Sequence, residues 1–169
     1  MAGGDLNRAY DQINQVGQNL GLVDFGSYAL NAMRVEKAFH GWGADFGTEY
    51  TMFDAGLEKF IDFEKKDFVG RDALLEQKTR PPEWRFIRML VDIGDAEPLP
   101  SDPITQNGIC IGYITSASAG YRINQCVALG YIDAVREDSD LTVQVLGNHC
   151  PIRVVTEAFY DPENARCKS

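Results

Sequence analysis

The chain has 169 residues, 44% of them apolar and 11% aromatic, enough to bury a core as one domain or two small ones without disulfides or metals. With 25 acidic against 16 basic residues and a formal charge of −9, it is unsuited to phosphate backbones and anionic lipid surfaces, so neither nucleic acid nor a membrane is an expected partner. No apolar run approaches the ~18 residues of a membrane-spanning helix, and Met1-Ala2-Gly3-Gly4-Asp5 lacks the basic and apolar regions of a signal peptide, so a soluble protein is expected.

In chain order, Leu6, Ala9, Tyr10, Ile13, Val16 and Leu20 fall at helical spacing, with Asp5 as N-cap and Gly21 as the stop. Gly26-Ser27 punctuates the chain. A short helix over Tyr28 to Met33, capped by Ser27, then precedes the β-capable run Arg34-Val35-Glu36. In such a strand Arg34 and Glu36 share a face and Val35 takes the other. The segment from His40 to Gly47 sets three glycines among bulky rings, which suits a loop whose backbone passes close to something else. Gly70 to Lys78 reads as a short helix ended by Pro81-Pro82, and these prolines are the expected boundary between a unit 1–82 and a unit 83–169.

Beyond Pro82 the pattern changes to short β-rich runs: Phe86 to Ile93, Ile109 to Thr115, Val127 to Ile132, Leu141 to Leu146 and Ile152 to Thr156. Five or six strands without a long helix imply a small antiparallel barrel or sandwich, and an α+β chain overall. Asn107-Gly108 is a strong two-residue hairpin turn, and Gly147-Asn148 reads the same way. Gly112, Gly120 and Gly130 read as residues that relax turns or bulges. The polar tail from Asp161 to Ser169 is expected to fray.

Little in the composition supports metal or nucleophilic chemistry. There are two histidines, His40 and His149, and the four cysteines form no CxxC, so Cys110, Cys126, Cys150 and Cys167 read as reduced thiols, with Cys110 and Cys126 as small buried hydrophobes. No P-loop, GxGxxG turn or GxSxG elbow is present.

Six blocks occur in a telling order: MRVEK, WGAD, TMFDAGL from Thr51, DFVGRDALL from Asp67, IGYITSAS and VALGYI. In them the chain resembles the glycine-cleavage T-protein (aminomethyltransferase) family, and most of all the folate-dependent C-terminal module of sarcosine and dimethylglycine dehydrogenases. The resemblance runs from about Leu6 to Thr156. It implies the end of the T-protein-like folate-binding domains over 1–82 followed by a C-terminal β-barrel over 83–169. It also implies a share in transferring a one-carbon unit to tetrahydrofolate, giving 5,10-methylenetetrahydrofolate. The family's glutamate that binds the pterin ring falls on Glu36; a pterin edge with two donors suits an ionised carboxylate. Taken by itself, Glu36 could equally form a surface pair with Arg34 or Lys37. Tyr28 and Trp42 could wall the pterin or belong to the core. Where family members carry an arginine near the folate's glutamyl tail, this chain has Lys65-Lys66, point charges without a bidentate fork.

The resemblance also sets what lies elsewhere. The family's catalytic aspartate belongs to a first half that this chain does not contain, and neither Asp45 nor Asp67 can be substituted for it by argument. No catalytic or metal-binding residue is therefore expected here, and the isolated chain is expected to be inactive. Any flavin (FAD) is expected only in an upstream domain. The expected partners are that missing half or a flavin domain, folate, and a second copy through exposed apolar surface. The expected compartment is the cytoplasm, or the mitochondrial matrix in a eukaryote. A non-catalytic scaffold with unused folate residues, and a folate-dependent demethylase or tRNA-modifying relative, are the alternative readings.

Overall fold

The computed structural model describes residues 3–94 and 96–168, the Cys167 side chain excepted. The chain falls into two compact units, one ending at Leu30 and one covering 31–169.

In the first unit, α1 (Gly3–Gly17) runs into a 3-10 turn, Gln18–Leu20, closed by Gly21 in the left-handed conformation at φ 74°. The expected stop is the observed one, because only a residue without Cβ adopts that φ at no cost. Asp5 is not the cap: the helix starts two residues before it. Leu6, Ile13, Val16 and Leu20 are all exposed.

Helix α2 (Ser27–Glu36) continues through the residues expected to form a strand. A helix places residues two apart about 200° apart around its axis, so Arg34 and Glu36 do not share a face. The β preference of one branched residue is worth at most ~0.7 kcal/mol. Burying Val35 fully from the helix gains ~1.5–3 kcal/mol, and the larger quantity decides. Helix α3 (Arg71–Lys78) follows Gly70, which sits at φ 88°, and stops before the two prolines.

The rest of the second unit is a closed antiparallel barrel of β1 (Trp84–Val91), β2 (Pro103–Gln106), β3 (Ile109–Gly120), β4 (Gln125–Asp133), β5 (Leu141–Val145) and β6 (Asn148–Val155). Its strands run in the order β1-β4-β3-β2-β5-β6, with β6 pairing back onto β1. The short β2 has no counterpart among the expected strands; Pro103 at its start and only four residues hide it. Asn107 and Gly108, at φ 52° and 78°, form the expected hairpin turn. The second hairpin turns one residue earlier than expected, at Leu146-Gly147 with φ 48° and 84°, and Asn148 already belongs to β6. Among the described residues the only helix after Pro82 is α4 (Ala165–Lys168), a single turn. The tail is not frayed there: Lys37 pairs with Asp161, and the Tyr160 N–H donates to Glu36 O at 3.1 Å.

Strand β4 is buried on both sides, which explains its unbroken apolar run. Cys126, Ala128 and Ile132 face the barrel interior with Ile87, Met89, Ile104, Ile114 and Val143. Val127, Leu129 and Tyr131 face outward and pack, with Phe86, under Val35, Ala38 and Ala55. The segment after α2 is thus the outer cover of β1 and β4. Cys126 and Cys150 are buried, whereas Cys110 is exposed beside the first hairpin turn, contrary to expectation. Burial pushes the Cys126 thiol up to about 12, so it is no nucleophile at neutral pH.

Two titratable groups tie this cover to the barrel. The Asp54 carboxylate accepts from Thr51 N–H (2.9 Å) and Oγ1 (2.6 Å), and from the main-chain N–H of Glu83 (3.0 Å) and Trp84 (3.1 Å) at the entry to β1. Burial pushes this carboxyl up, but those donors outweigh it and hold it below the usual range. His40 stacks on Phe86 at 4.0 Å and its Nε2–H donates to Ala55 O at 3.0 Å. Burial pushes its imidazole below the ordinary histidine value, against the pull of Asp45.

Both groups are depressed in the folded state, so both stabilise above their unfolded pKa values, and both contributions are lost as pH falls. His40 acts first, below about 6.5, and Asp54 below about 4. We expect the melting temperature to drop between pH 7 and 5, and His40→Gln to flatten that slope while leaving the steep loss below pH 4. Thermal melts across pH measure both.

Candidate functional site

Glu36 ends α2 and is 3% exposed. Its Oε1 accepts the main-chain N–H of Arg122 at 2.7 Å, from the turn between β3 and β4. Among the described residues Oε2 has no hydrogen-bond partner. The two surface pairings open to Glu36 on sequence grounds are both taken up elsewhere: Arg34 pairs with Asp45, and Lys37 with Asp161. Glu36 is therefore a buried carboxylate held by one backbone donor, with acceptor capacity left on both oxygens.

The loop after α2 is organised by Asp45, which is fully buried. Its Oδ2 meets the Arg34 guanidinium and the Gly41 N–H (2.8 Å), and its Oδ1 accepts from Thr115 Oγ1 at 2.5 Å. Its main-chain oxygen accepts from Tyr131 Oη at 2.8 Å. Thr115 reaches it because β3 bulges: Ile114 pairs with Gly130 and Ser116 with Leu129, leaving Thr115 out of register. The same bulge brings Ser116 Oγ to Arg34 Nη2 at 2.9 Å. With three donors on its carboxylate and a fourth on its main-chain oxygen, Asp45 is a structural anchor of the loop.

Trp42 is 74% exposed, its ring edge-on to Phe46 at 5.6 Å. It belongs to the surface and not to the core, leaving an open aromatic face on the loop between Glu36 and Asp45. Lys65 and Lys66 are exposed on the loop before α3, where Lys65 Nζ lies 6.0 Å from the Phe68 ring centre. No contact among the described residues joins either lysine to Glu36. Tyr28 lies in the first unit, on the opening turn of α2, and is 92% exposed. The Arg122 N–H escaped sequence reasoning because a backbone donor carries no residue signature. The paired hydroxyls Thr115-Ser116 inside IGYITSAS were the one legible sign that β3 serves a polar partner. Among the described residues no group of His, Cys, Asp and Glu could hold a metal ion, and no helix is long and apolar enough to cross a membrane.

Comparison with known proteins agrees with the fold. Residues 85–161 match the family described as "Glycine cleavage T-protein C-terminal barrel domain", and residues 1–65 match "GCVT N-terminal domain", together well over half of the chain. The chain is 34% identical over 97% of its length to mouse mitochondrial dimethylglycine dehydrogenase, of which it spans 19%. It is 31% identical over 92% of its length to the aminomethyltransferase of Streptomyces avermitilis, of which it spans 44%. The fold matches the crystal structure of aminomethyltransferase T from Bartonella henselae with a TM-score of 0.71 at 23% identity, covering 79% of this chain and 38% of that one. The chain thus spans less than half the length of each of these relatives. Two family matches and a closed C-terminal barrel agree: the chain belongs to the glycine-cleavage T-protein family, as an aminomethyltransferase-like module related to dimethylglycine dehydrogenase.

Proposed function

We propose that this chain is the C-terminal portion of a tetrahydrofolate-dependent one-carbon transfer module of the sarcosine or dimethylglycine dehydrogenase type. In this reading residues 1–82 close the folate-binding domains and residues 83–169 form the barrel. The observation that carries it is Glu36: a buried carboxylate whose Oε2 has no hydrogen-bond partner among the described residues, which fits the paired N–H donors of a pterin edge. Tetrahydrofolate, when bound, supplies the nucleophilic nitrogens that capture a one-carbon unit. This chain's residues bind and orient. Glu36 fixes the pterin, Trp42 and, on the first unit, Tyr28 each offer a flat aromatic face, and Lys65 and Lys66 attract the glutamyl carboxylates through solvent. Proton handling, and any flavin, belong to polypeptide beyond this chain, which is also its chief partner. The exposed Leu6, Ile13 and Val16 of α1 and Leu20 of the 3-10 turn after it favour being covered by that polypeptide or by a second copy. We place the protein in the cytoplasm or, in a eukaryote, the mitochondrial matrix; the mouse relative's name assigns that protein to the mitochondrion.

Glu36→Gln tests the reading, and the geometry makes it a clean probe. The amide oxygen must take the Arg122 N–H, since the amide nitrogen would set donor against donor, so the NH2 group occupies the Oε2 position. We expect tetrahydrofolate binding by the full-length polypeptide to weaken at least about tenfold, equivalent to ~1.4 kcal/mol, with thermal stability close to wild type. Titration calorimetry measures it. Unchanged affinity at unchanged stability would make Glu36 a purely structural residue.

A further inference from the structure

Resting on the reading of Glu36 as the folate carboxylate, we propose that the turn joining β3 to β4 is its positioning element: the main-chain N–H of Arg122 sets the direction in which Glu36 presents Oε2. Glu36 ends α2, where Met33 O, Arg34 O and Val35 O accept the N–H groups of Lys37, Phe39 and Ala38, so the helix end offers its side chain carbonyls and no free main-chain donor. The residue is only 3% exposed, so little water reaches the carboxylate. The barrel supplies what the helix cannot, a donor at 2.7 Å on Oε1.

Three features make this donor a fixed one. The turn is tight, with the Ile123 N–H donating to Gly120 O at 3.2 Å and Gly120 paired with Gln125. A side chain at residue 120 would lie 2.7 Å from Gln125 O, so the strands cannot spread there. The Glu36 backbone is held independently, its carbonyl accepting the Tyr160 N–H at 3.1 Å. The terminal torsion of a glutamate is otherwise broad, so fixing Oε1 is what fixes Oε2. The Arg122 side chain takes no part in this bond: its guanidinium lies 5.7 Å from the Tyr160 ring centre. The barrel thus contributes a backbone amide to folate binding, without a side chain in the site.

The test replaces the residue-122 amide by an ester, using the α-hydroxy analogue of arginine in the full-length polypeptide, and titrates tetrahydrofolate. The ester should weaken binding about five- to tenfold, the cost of leaving one side chain unfixed, whereas Arg122→Ala, which keeps the N–H, should change it less than about twofold. In a Glu36→Ala background the ester should add nothing, because its effect passes through that carboxylate. Native affinity in the ester, or an equal loss in the Glu36→Ala background, overturns the proposal. If Glu36→Ala binds like wild type, the reading of Glu36 itself fails; if Glu36→Ala is weak and the ester is not, only the positioning fails. Should the ester not fold, a folate-bound crystal structure decides: the Arg122 N to Oε1 contact must persist at hydrogen-bond distance, and its loss ends the proposal.

Discussion

Gly112→Ala should cost the protein ~3 kcal/mol or more, a fall of roughly 6–12 °C in melting temperature, although a Gly→Ala change in a strand ordinarily gains stability. A Cβ at residue 112 would lie 2.0 Å from Tyr131 O and 2.8 Å from Ile132 Cα. Both obstacles are backbone, so no rotamer change relieves them. Relief requires β3 to separate from β4, the most deeply buried strand of the barrel. The strain would also reach the cover, because Tyr131 stacks on Tyr50 at 3.8 Å and holds Asp45 O. Gly130→Ala should behave alike, with its Cβ 2.4 Å from Tyr113 O. Gly94→Ala is the control: nothing lies within 4 Å of its Cβ, and it should stay within about 0.5 kcal/mol of wild type. Urea denaturation of the three variants ranks them. A Gly112→Ala protein as stable as Gly94→Ala would mean that the strands can part without cost.

The barrel was legible because its strands are bounded by turn chemistry, and the Asn107-Gly108 turn falls where two residues at positive φ are required. What escaped was set by tertiary contact. Residues 34–36 look β-capable in isolation and end a helix because Val35 is buried under the barrel. Leu146-Gly147 turns before Asn148 because β6 pairs from Asn148 onward. At the candidate site, the order of the six blocks pointed to Glu36, while the polar face of β3 went unread. The partners of both are a backbone N–H and a bulged threonine, and neither is written in residue type. The segment from His40 to Gly47 reads as a loop whose backbone passes close to something else, and the loop carries the exposed Trp42. Its aspartate, though, is turned inward, and Gly43 serves a positive φ of 78° with open space around it, while close packing falls on the preceding Gly41, whose Cβ would lie 3.3 Å from the Arg34 guanidinium.

Asp45→Ala should be the most damaging change in the cover, at ~3–5 kcal/mol, because it strands a partner charge as well as removing a contact. Arg34 is held by Phe39 O (2.9 Å), Asn31 Oδ1 (2.7 Å) and Ser116 Oγ (2.9 Å), all neutral acceptors, so without Asp45 its guanidinium stays in place with no counter-charge. The Gly41 N–H and the Thr115 hydroxyl lose their carboxylate acceptor at the same time, and a buried donor left unpaired costs ~1–3 kcal/mol. Asp45→Asn should rescue only part of the loss: its amide oxygen can take Arg34 and the Gly41 N–H and its NH2 can donate to Thr115 Oγ1, whose hydroxyl then donates to Leu129 O at 3.2 Å, but the Arg34 charge is left without a counter-charge. The pair should be strongly coupled: with Arg34→Met already in place, Asp45→Leu should cost less than half of what Asp45→Ala costs alone, because no charge then remains to be stranded. Equilibrium denaturation of the single and double variants measures this coupling. Additive losses would show that Arg34 and Asp45 act separately. Coupled losses would make the ion pair the clasp that holds the loop carrying Trp42 against β3, one turn of chain beyond Glu36.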